Sequence, residues 1–175
     1  MLGAPVTITP PTGELIPIES ARSYLRVDGD AFDDELGMLS AASVQDLEEM
    51  TGLRLLNQTL TVVADTFEDL AQLRVGPVRS VTSIAYEDWL GGEHIVPADS
   101  YRLSGAALEQ GILPIGSWPV AAEGSIVLTL EVGYGALAAD VPAKLRYAAY
   151  ALLRGKHEEQ PVDVEPLIAN SRFWL

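Results

Sequence analysis

The chain contains no cysteine among its 175 residues. This absence excludes disulfides, thiolate nucleophiles and cysteine-ligated metal sites, and it leaves the redox compartment undetermined. Stability must come from side-chain packing instead, and 48% of the residues are hydrophobic. A chain of this length and composition buries a substantial core and forms one or two domains.

Basic residues are scarce. Lys and Arg number 11 against 25 Asp and Glu, so the net charge at pH 7 is −14 and the pI is about 4.3. Phosphate binding needs clustered Lys and Arg, and the charge therefore argues against a sequence-reading nucleic-acid surface. The charge is compatible with an acidic protein that surrounds DNA without binding it tightly. Repulsion between the carboxylates of such a protein and the DNA phosphates would keep the duplex mobile.

Long hydrophobic runs are also missing. No segment approaches the roughly 20 apolar residues of a membrane helix. The first residues, MLGAPVTITPPTGEL, lack the positive and apolar regions of a secretory signal. We therefore expect a folded, soluble protein that is synthesised in the cytosol and has no membrane partner.

Two helix patterns lie between Ile18 and Gly52. The first opens at Glu19 and Ser20, and Gly29 is predicted to stop it. The second is longer: Asp30 or Asp33 can cap it, its first acids suit the positive end of the helix dipole, and Gly52 ends it. Its predicted apolar stripe consists of Phe32, Leu36, Leu39, Ser43, Leu47 and Met50.

After Gly52 the pattern changes to short segments rich in Val, Ile, Thr and Leu, separated by Gly, Pro and Asp. These segments predict an antiparallel sheet with strands at 58–64, 73–75, 80–86, 93–96, 101–103 and 125–132. Alternation is clearest in the last, where the residues predicted to share one face are Ile126, Leu128, Leu130 and Val132. Gly91 and Gly92 indicate a hairpin loop.

A third helix is predicted near the end of the chain. Asp140 is its expected N-cap, Pro142 lies in its first turn, and it runs to about Gly155. Its predicted buried side consists of Val141, Leu145, Ala148, Ala149 and Leu152. The proline-rich residues 1–17 predict an extended arm, and prolines within 158–175 predict a non-helical tail.

Charge is segregated along the chain. Eight carboxylates and no Lys or Arg lie between Asp28 and Glu49, whereas four basic residues and no acid lie between Val141 and His157. This segregation suggests that the two segments meet, either inside one subunit or between neighbours; two independently solvated faces are the alternative. The residues predicted to form a subunit interface are Asp46, Glu49, Arg146 and Arg154.

One motif superficially indicates a nucleotide site. Gly133, Gly135 and Ala138 have the GxGxxA spacing of a dinucleotide fingerprint and lie between a strand and a helix. Only about 20 residues follow that helix, however, with no second parallel strand for a cofactor. We interpret these glycines as a tight turn.

Other candidate sites are equally weak. The acids Asp28, Asp30, Asp33 and Asp34 do not match a calcium loop, because Phe32 stands where an oxygen ligand is needed, and we assign them to helix capping. His94 and His157 lie in no metal-ligand spacing or nucleophile motif. Trp89, Trp118 and Trp174 are expected in cores or interfaces rather than as ligand platforms. We predict no catalytic residue, no metal and no cofactor, and we expect that the protein is not an enzyme.

The order of the motifs is more specific than any one of them. The chain carries, in succession, PIESARSYLRVDGD, MTG, QTLTV, PVRSVTSIAY with EDWLGG after it, DSYRL, SIVLTLEVGYG and VPAKLRYAAYALL. This succession resembles the head-tail connector (adaptor) family of long-tailed bacteriophages and gene transfer agents. It covers roughly residues 16–157.

The resemblance implies an α+β fold. A small helical bundle would be made from helices within 18–52 and 141–157, with an inserted antiparallel β-rich region at 57–133, and these parts would form one connector domain over 18–157. The expected order of helix, helix, strands and helix agrees with the patterns described above.

The resemblance also implies a structural role in the virion. Such connectors form a ring, usually a dodecamer, beneath the portal protein at the neck, extend the DNA channel, and provide the platform for the stopper or tail-completion protein. DNA would pass through without sequence-specific binding. The protein would be made in the host cytoplasm and reside at the head-tail interface.

The chain departs from the family pattern at its proline-rich leader and its aromatic end. We predict that Arg172, Phe173, Trp174 and Leu175 bind a partner, since aromatic residues and Arg dominate interface energetics. We expect the segment from Pro161 to Leu175 to be mobile in the free protein and ordered on the portal, as in similar connectors. The alternative is that this end folds back on its own subunit.

Two other functions remain open on the sequence. The first is another ring-forming neck component, such as a stopper or tail terminator. The predicted helix after the β region argues against this function. The second is an α+β hydrolase whose site has no recognisable motif.

Overall fold

The computed structural model describes residues 1–106 and 108–173. The chain forms two compact units, each built from two stretches of sequence. The sheet unit comprises Met1–Pro10 and Asn57–Gly133, and the helical unit comprises Pro11–Leu56 and the residues from Tyr134 onward. Helices and antiparallel strands are segregated in this way, which confirms the predicted α+β class.

The helical unit contains four α-helices in its described residues. They are α1 (Ile18–Leu25), α2 (Asp33–Thr51), α3 (Ala143–His157) and α4 (Glu165–Ile168). α2 packs against α1 and α3, and α4 packs against α3. The helices come together because each buries an apolar side; fully buried residues of this core include Ala21, Leu36, Leu47, Leu145, Leu153 and Ile168.

The buried side of α2 differs in part from the predicted stripe. Leu36, Ser43 and Leu47 are buried as expected, but Phe32 and Met50 are exposed. Phe32 precedes the first helical turn and so does not follow the helical period, and at the other end the buried side continues through Thr51. In α3, similarly, Leu153 is fully buried in place of the predicted Leu152.

The helix boundaries also differ from prediction. α1 ends at Leu25 because Arg26 adopts a left-handed φ of 59°, so the helix stops before Gly29. Neither Asp30 nor Asp33 caps α2, whose N-cap is Phe32 and has no side-chain cap. Its other end is as predicted, since Gly52 takes a left-handed φ of 73°.

The start of α3 is a further correction. Pro142, not Asp140, is the N-cap residue of α3. Asp140 instead ends a short 3₁₀ turn, Ala138–Asp140, in which its carboxylate accepts a hydrogen bond of 2.9 Å from the Leu137 amide. The carboxylate therefore stabilises the turn that leads into the helix.

The described part of the sheet unit contains seven strands. They are β1 (Val6–Thr9), β2 (Gln58–Ala64), β3 (Val78–Glu87), β4 (Glu93–Ile95), β5 (Tyr101–Ser104), β6 (Gly111–Pro114) and β7 (Ile126–Val132). Five of them form an antiparallel sheet in the order β1–β2–β7–β3–β4, and β5 pairs with β6 separately.

The inner face of the sheet carries the core of this unit. The predicted alternation in β7 is confirmed, because Ile126, Leu128, Leu130 and Val132 are all buried while the residues between them are not. They pack with Leu60, Ile84 and Ile112, among others. Phe67 adds an aromatic stack with Trp118, whose ring centroid lies 4.7 Å away, so this tryptophan packs against the core as expected.

Residues 73–75 do not form the predicted strand. Leu73 and Val75 are buried, and the Leu73 amide donates a hydrogen bond of 2.8 Å to the carbonyl of Gln110. Their apolar character therefore reflects burial in a loop. Two strands, β1 and β6, were not predicted; β1 lies within the proposed arm and pairs with the distant β2.

None of the helices in the described residues has the length and hydropathy needed to cross a membrane.

Candidate assembly surfaces

The acidic helix α2 and the basic helix α3 meet inside the helical unit. The Nζ of Lys156 lies 2.6 Å from an Oδ of Asp46, and both side chains are partly exposed. Of the two arrangements considered above, the structure shows the contact within one chain. Exposed pairs of this kind contribute about 0–1 kcal/mol, so the pair does little to stabilise the fold.

The other predicted interface residues have local partners. Glu49 accepts a hydrogen bond of 2.9 Å from the side chain of Gln45, and the Nε of Arg146 donates to the Val141 carbonyl at 3.1 Å. The guanidinium of Arg154 lies 4.4 Å from the ring centre of Tyr24. A role for these residues between subunits stays a prediction.

The first residue of α2, Asp33, is held by a basic residue of α1. Both carboxylate oxygens of Asp33 accept hydrogen bonds from Arg22, at 2.7 and 2.6 Å, and this carboxylate raises the pKa of the Arg22 guanidinium. The bidentate pair explains why Asp33 does not cap its own helix. Within residues 1–106 and 108–173, no three His, Asp or Glu side chains form a metal-binding group.

The C-terminal segment packs on the helical unit as far as Phe173. Val164 and Ile168 are buried, the Phe173 amide donates to the Thr51 carbonyl at 3.0 Å, and Arg172 forms an ion pair with Glu165. Up to Phe173, therefore, the segment is folded onto its own subunit, which was the alternative to a mobile segment. Trp174 and Leu175 lie outside the described residues, and partner binding by residues 172–175 stays a prediction.

A hydrogen-bonded hairpin tip presents two large apolar side chains to solvent. Trp89 and Leu90, between β3 and β4, are 75% and 74% exposed. Beneath them the Oδ1 of Asp88 accepts hydrogen bonds from the amides of Leu90 and Gly92, at 2.8 and 2.9 Å. Its Oδ2 lies 2.7 Å from the Nε2 of His94. The hydrogen bond to His94, followed by the two amides, lowers the pKa of Asp88 below its usual range, so the tip is held by an ionised carboxylate at neutral pH.

The hairpin confirms one prediction and adds a surface that the sequence did not indicate. Gly91 has a φ of 81° and its amide donates to the Asp88 carbonyl at 3.0 Å, as the predicted glycine loop requires. His94, in the edge strand β4, stacks on Tyr86 with 5.2 Å between ring centres. Trp89, which was expected in a core or an interface, lies outside the core, and an interface role for it stays a prediction.

The opposite edge of the sheet is also apolar. Val6 and Ile8 in β1 are 61% and 54% exposed, and Val63 in the neighbouring β2 is 45% exposed. Residues 1–13 contain no ionisable side chain. The charges nearest this edge are the Met1 ammonium and the Asp65 and Asp69 carboxylates, and these groups pair with one another at 2.7 Å.

The outer face of the sheet connects these two edges. Strand pairing aligns Val63, Val127, Ala85 and Ile95 in one row across β2, β7, β3 and β4. A second row consists of Val6, Thr61, Thr129 and Ser83. Both rows lack ionisable groups.

The glycines of the GxGxxA spacing form the turn that we predicted. Gly133 has a φ of 114°, and a Cβ at Gly135 would collide with the Asp140 carboxylate. The glycines are therefore required by local packing, which accounts for the spacing without a nucleotide.

The fold of the whole chain is similar to that of chains in solved particle structures. One is described as the virion of a native gene transfer agent (GTA) particle, with a TM-score of 0.82 and 23% sequence identity over 98% of this chain and 96% of that one. A second, the neck of an empty GTA particle computed with C6 symmetry, has a TM-score of 0.82 and 23% identity over 99% and 97% of the two chains.

A third structure, the neck of a native GTA particle computed with C12 symmetry, gives a TM-score of 0.79 at 22% identity over 99% of this chain and 97% of that chain. No protein-family model and no curated protein matches the sequence. Along nearly its whole length, the chain thus shares the fold of a chain found in gene transfer agent particles.

Proposed function

We propose that this protein is a structural, non-enzymatic component of a virion neck, and that it acts there as the head-tail connector. The observation that carries the proposal is the fold similarity over 98–99% of the chain to chains of gene transfer agent particles, two of which are described as necks. Because the similarity extends over both the helical and the sheet unit, it supports the role of the entire chain rather than of one common domain.

The choice of connector among neck components rests on the sequence motifs. Their order over roughly residues 16–157 resembles the connector family, and the helix α3 after the sheet unit fits a connector better than a stopper or tail terminator. We infer that copies of the chain form a ring, usually a dodecamer in this family, and that the ring contacts the portal protein on one side and the stopper or tail-completion protein on the other.

The charge of the protein supports a conduit for DNA. At −14 per copy, a ring would line or surround its channel with negative potential, which disfavours phosphate binding and lets DNA slide. The same charge makes spontaneous closure of a ring costly, and we therefore expect the isolated protein to be monomeric and the portal to act as the template.

Two sets of residues are proposed for the contacts. Residues 172–175 are proposed to bind the portal; the Arg172 and Phe173 residues are partly exposed on the helical unit. Glu49, Arg146 and Arg154 are proposed to lie near a subunit contact, together with Asp46, whose pairing with Lys156 would then be shared or exchanged on assembly.

The test is negative-stain electron microscopy of the full-length protein mixed with portal-bearing heads from its own particle. We expect a ring stacked beneath the portal, and no ring from the protein alone at the same concentration. A stopper would bind only to heads that already carry a connector, and a hydrolase would leave bare portals. Either result would contradict the proposed function.

A further inference from the structure

The two edges of the five-stranded sheet carry exposed apolar groups that belong to different strands. On one side the β4-edge residues are Trp89, Leu90 and Ile95, the last of which is 70% exposed. On the other side the β1-edge residues are Val6, Ile8 and Val63. The strand order β1–β2–β7–β3–β4 places these sets at opposite ends of the sheet.

We propose that the β4-edge residues of one copy dock on the β1-edge residues of the next copy of this chain. The proposal rests on the ring named under the proposed function and identifies its subunit contact. A contact between unlike edges is heterologous, and repetition of a heterologous contact generates closed rings or filaments. Contact between like edges would instead stop at dimers.

The distribution of charge identifies the occupant as a second copy. Every copy carries a net charge of −14, so copies approach most easily where at least one surface is uncharged. The β4 edge carries Glu87, Asp88 and Glu93 near its tip, whereas residues 1–13 at the other edge have no ionisable side chain. The Met1 ammonium at that edge is paired with Asp65 and Asp69. Pairing of unlike edges avoids the carboxylate repulsion that would arise between two hairpin tips.

Both surfaces are ordered before they meet. The Asp88 carboxylate holds the hairpin through two amides and His94, and the β1-edge residues are β-branched, with restricted side-chain rotation. Little conformational freedom is therefore lost on docking, which favours association. Trp89 supplies the large aromatic group that most often dominates an interface.

The absence of cysteine permits a direct test by cross-linking. The exposed residues Leu90 and Val63 are replaced in one chain, Leu90→Cys with Val63→Cys, and the protein is assembled on portal-bearing heads and treated with a short bis-maleimide. We expect a ladder of cross-linked species that extends beyond the dimer. Each single variant alone should give no cross-link, and a mixture of the two single variants should give dimers only.

A second variant tests the contact without introduced thiols. Trp89→Ala should weaken ring assembly about tenfold or more, as expected for loss of an aromatic anchor. The matched control is Leu137→Ala, which removes a similarly exposed apolar side chain from the helical unit and should leave assembly unchanged. Circular dichroism confirms that both variants fold.

The possible results distinguish failure of the edge contact from failure of the proposed connector function. A ring that forms normally but gives no ladder, or a Leu90→Cys variant that cross-links to itself, would overturn the edge contact and leave the connector function intact. Failure of the unmodified protein to form any ring on portal-bearing heads would overturn both.

Discussion

The docking of the C-terminal segment makes a quantitative prediction at Ile168. This side chain is fully buried and lies in the last turn of α4, which packs on α3. Truncation of a buried Ile to Ala costs about 2–5 kcal/mol. Because α4 is short and packs at the edge of the core, we expect the lower half of that range for Ile168→Ala, about 2–3 kcal/mol.

The loss of stability converts to a shift in melting temperature. For domains of this size a loss of 1 kcal/mol lowers Tm by about 2–4 °C, so the expected decrease is about 4–12 °C. Circular dichroism during thermal and urea unfolding measures this shift. The control is Val162→Ala in the same segment, whose side chain is exposed and whose replacement should change stability by no more than about 0.5 kcal/mol.

Hydrogen exchange provides an independent measurement for the same segment. The amide of Phe173 is bonded to the Thr51 carbonyl at 3.0 Å and should exchange more slowly than the amides of exposed loops. Ile168→Ala should accelerate it. If Ile168→Ala matched the wild-type stability and the Phe173 amide exchanged as in an unfolded peptide, the segment would be mobile and the reasoning from its burial would be refuted.

Three further predictions concern the sheet unit and α2. Gln110→Ala should destabilise the protein by about 1–3 kcal/mol for each group left unpaired, because the Gln110 amide bonds both the N–H and the C=O of the first residue of β3 at 2.7 and 2.8 Å; urea unfolding checks this, and an unchanged midpoint would contradict it. Gly111→Ala should cost about 1–3 kcal/mol or more by overpacking, since its Cβ would fall on the backbone of Ala71. The matched Gly37→Ala, where a Cβ meets open space in α2, should raise stability by up to about 1 kcal/mol; equal effects of the two in thermal unfolding would be inconsistent with the structure. Asp88 has a pKa lower in the folded than in the unfolded protein, so its stabilising contribution is present at neutral pH and is lost as the pH falls through the lowered folded value. The Leu90 amide should then exchange faster only in that acidic range, and Asp88→Asn should remove this pH dependence.

Much of the secondary structure could be predicted from the sequence. Helix α2 and strand β7 have apolar residues at the helical and strand periods, the Gly91–Gly92 pair indicates a hairpin, and Gly52 marks a helix end. These signals are local, because each depends on residues a few positions apart. The α+β class follows from their order along the chain.

The errors arose where distant residues decide the structure. Asp33 fails to cap α2 because Arg22, on another helix, binds its carboxylate. Leu73 and Val75 are buried in a loop and not in a strand, and the Gln110 carbonyl accepts the hydrogen bond of the Leu73 amide that a neighbouring strand would otherwise accept. Strand β1 forms because it pairs with β2, which lies about fifty residues further along the chain.

The candidate contacts divide in the same way. The strong negative charge and the lack of cysteine follow from the composition, and the segregation of acidic from basic helices follows from the order of residues. The three-dimensional structure was needed to show that Asp46 pairs with Lys156, that Ile168 docks on its own chain, and that Trp89 projects into solvent while the Asp88 carboxylate holds the turn through three contacts. Exposure and side-chain pairing depend on what the rest of the chain covers, and no local pattern contains that information.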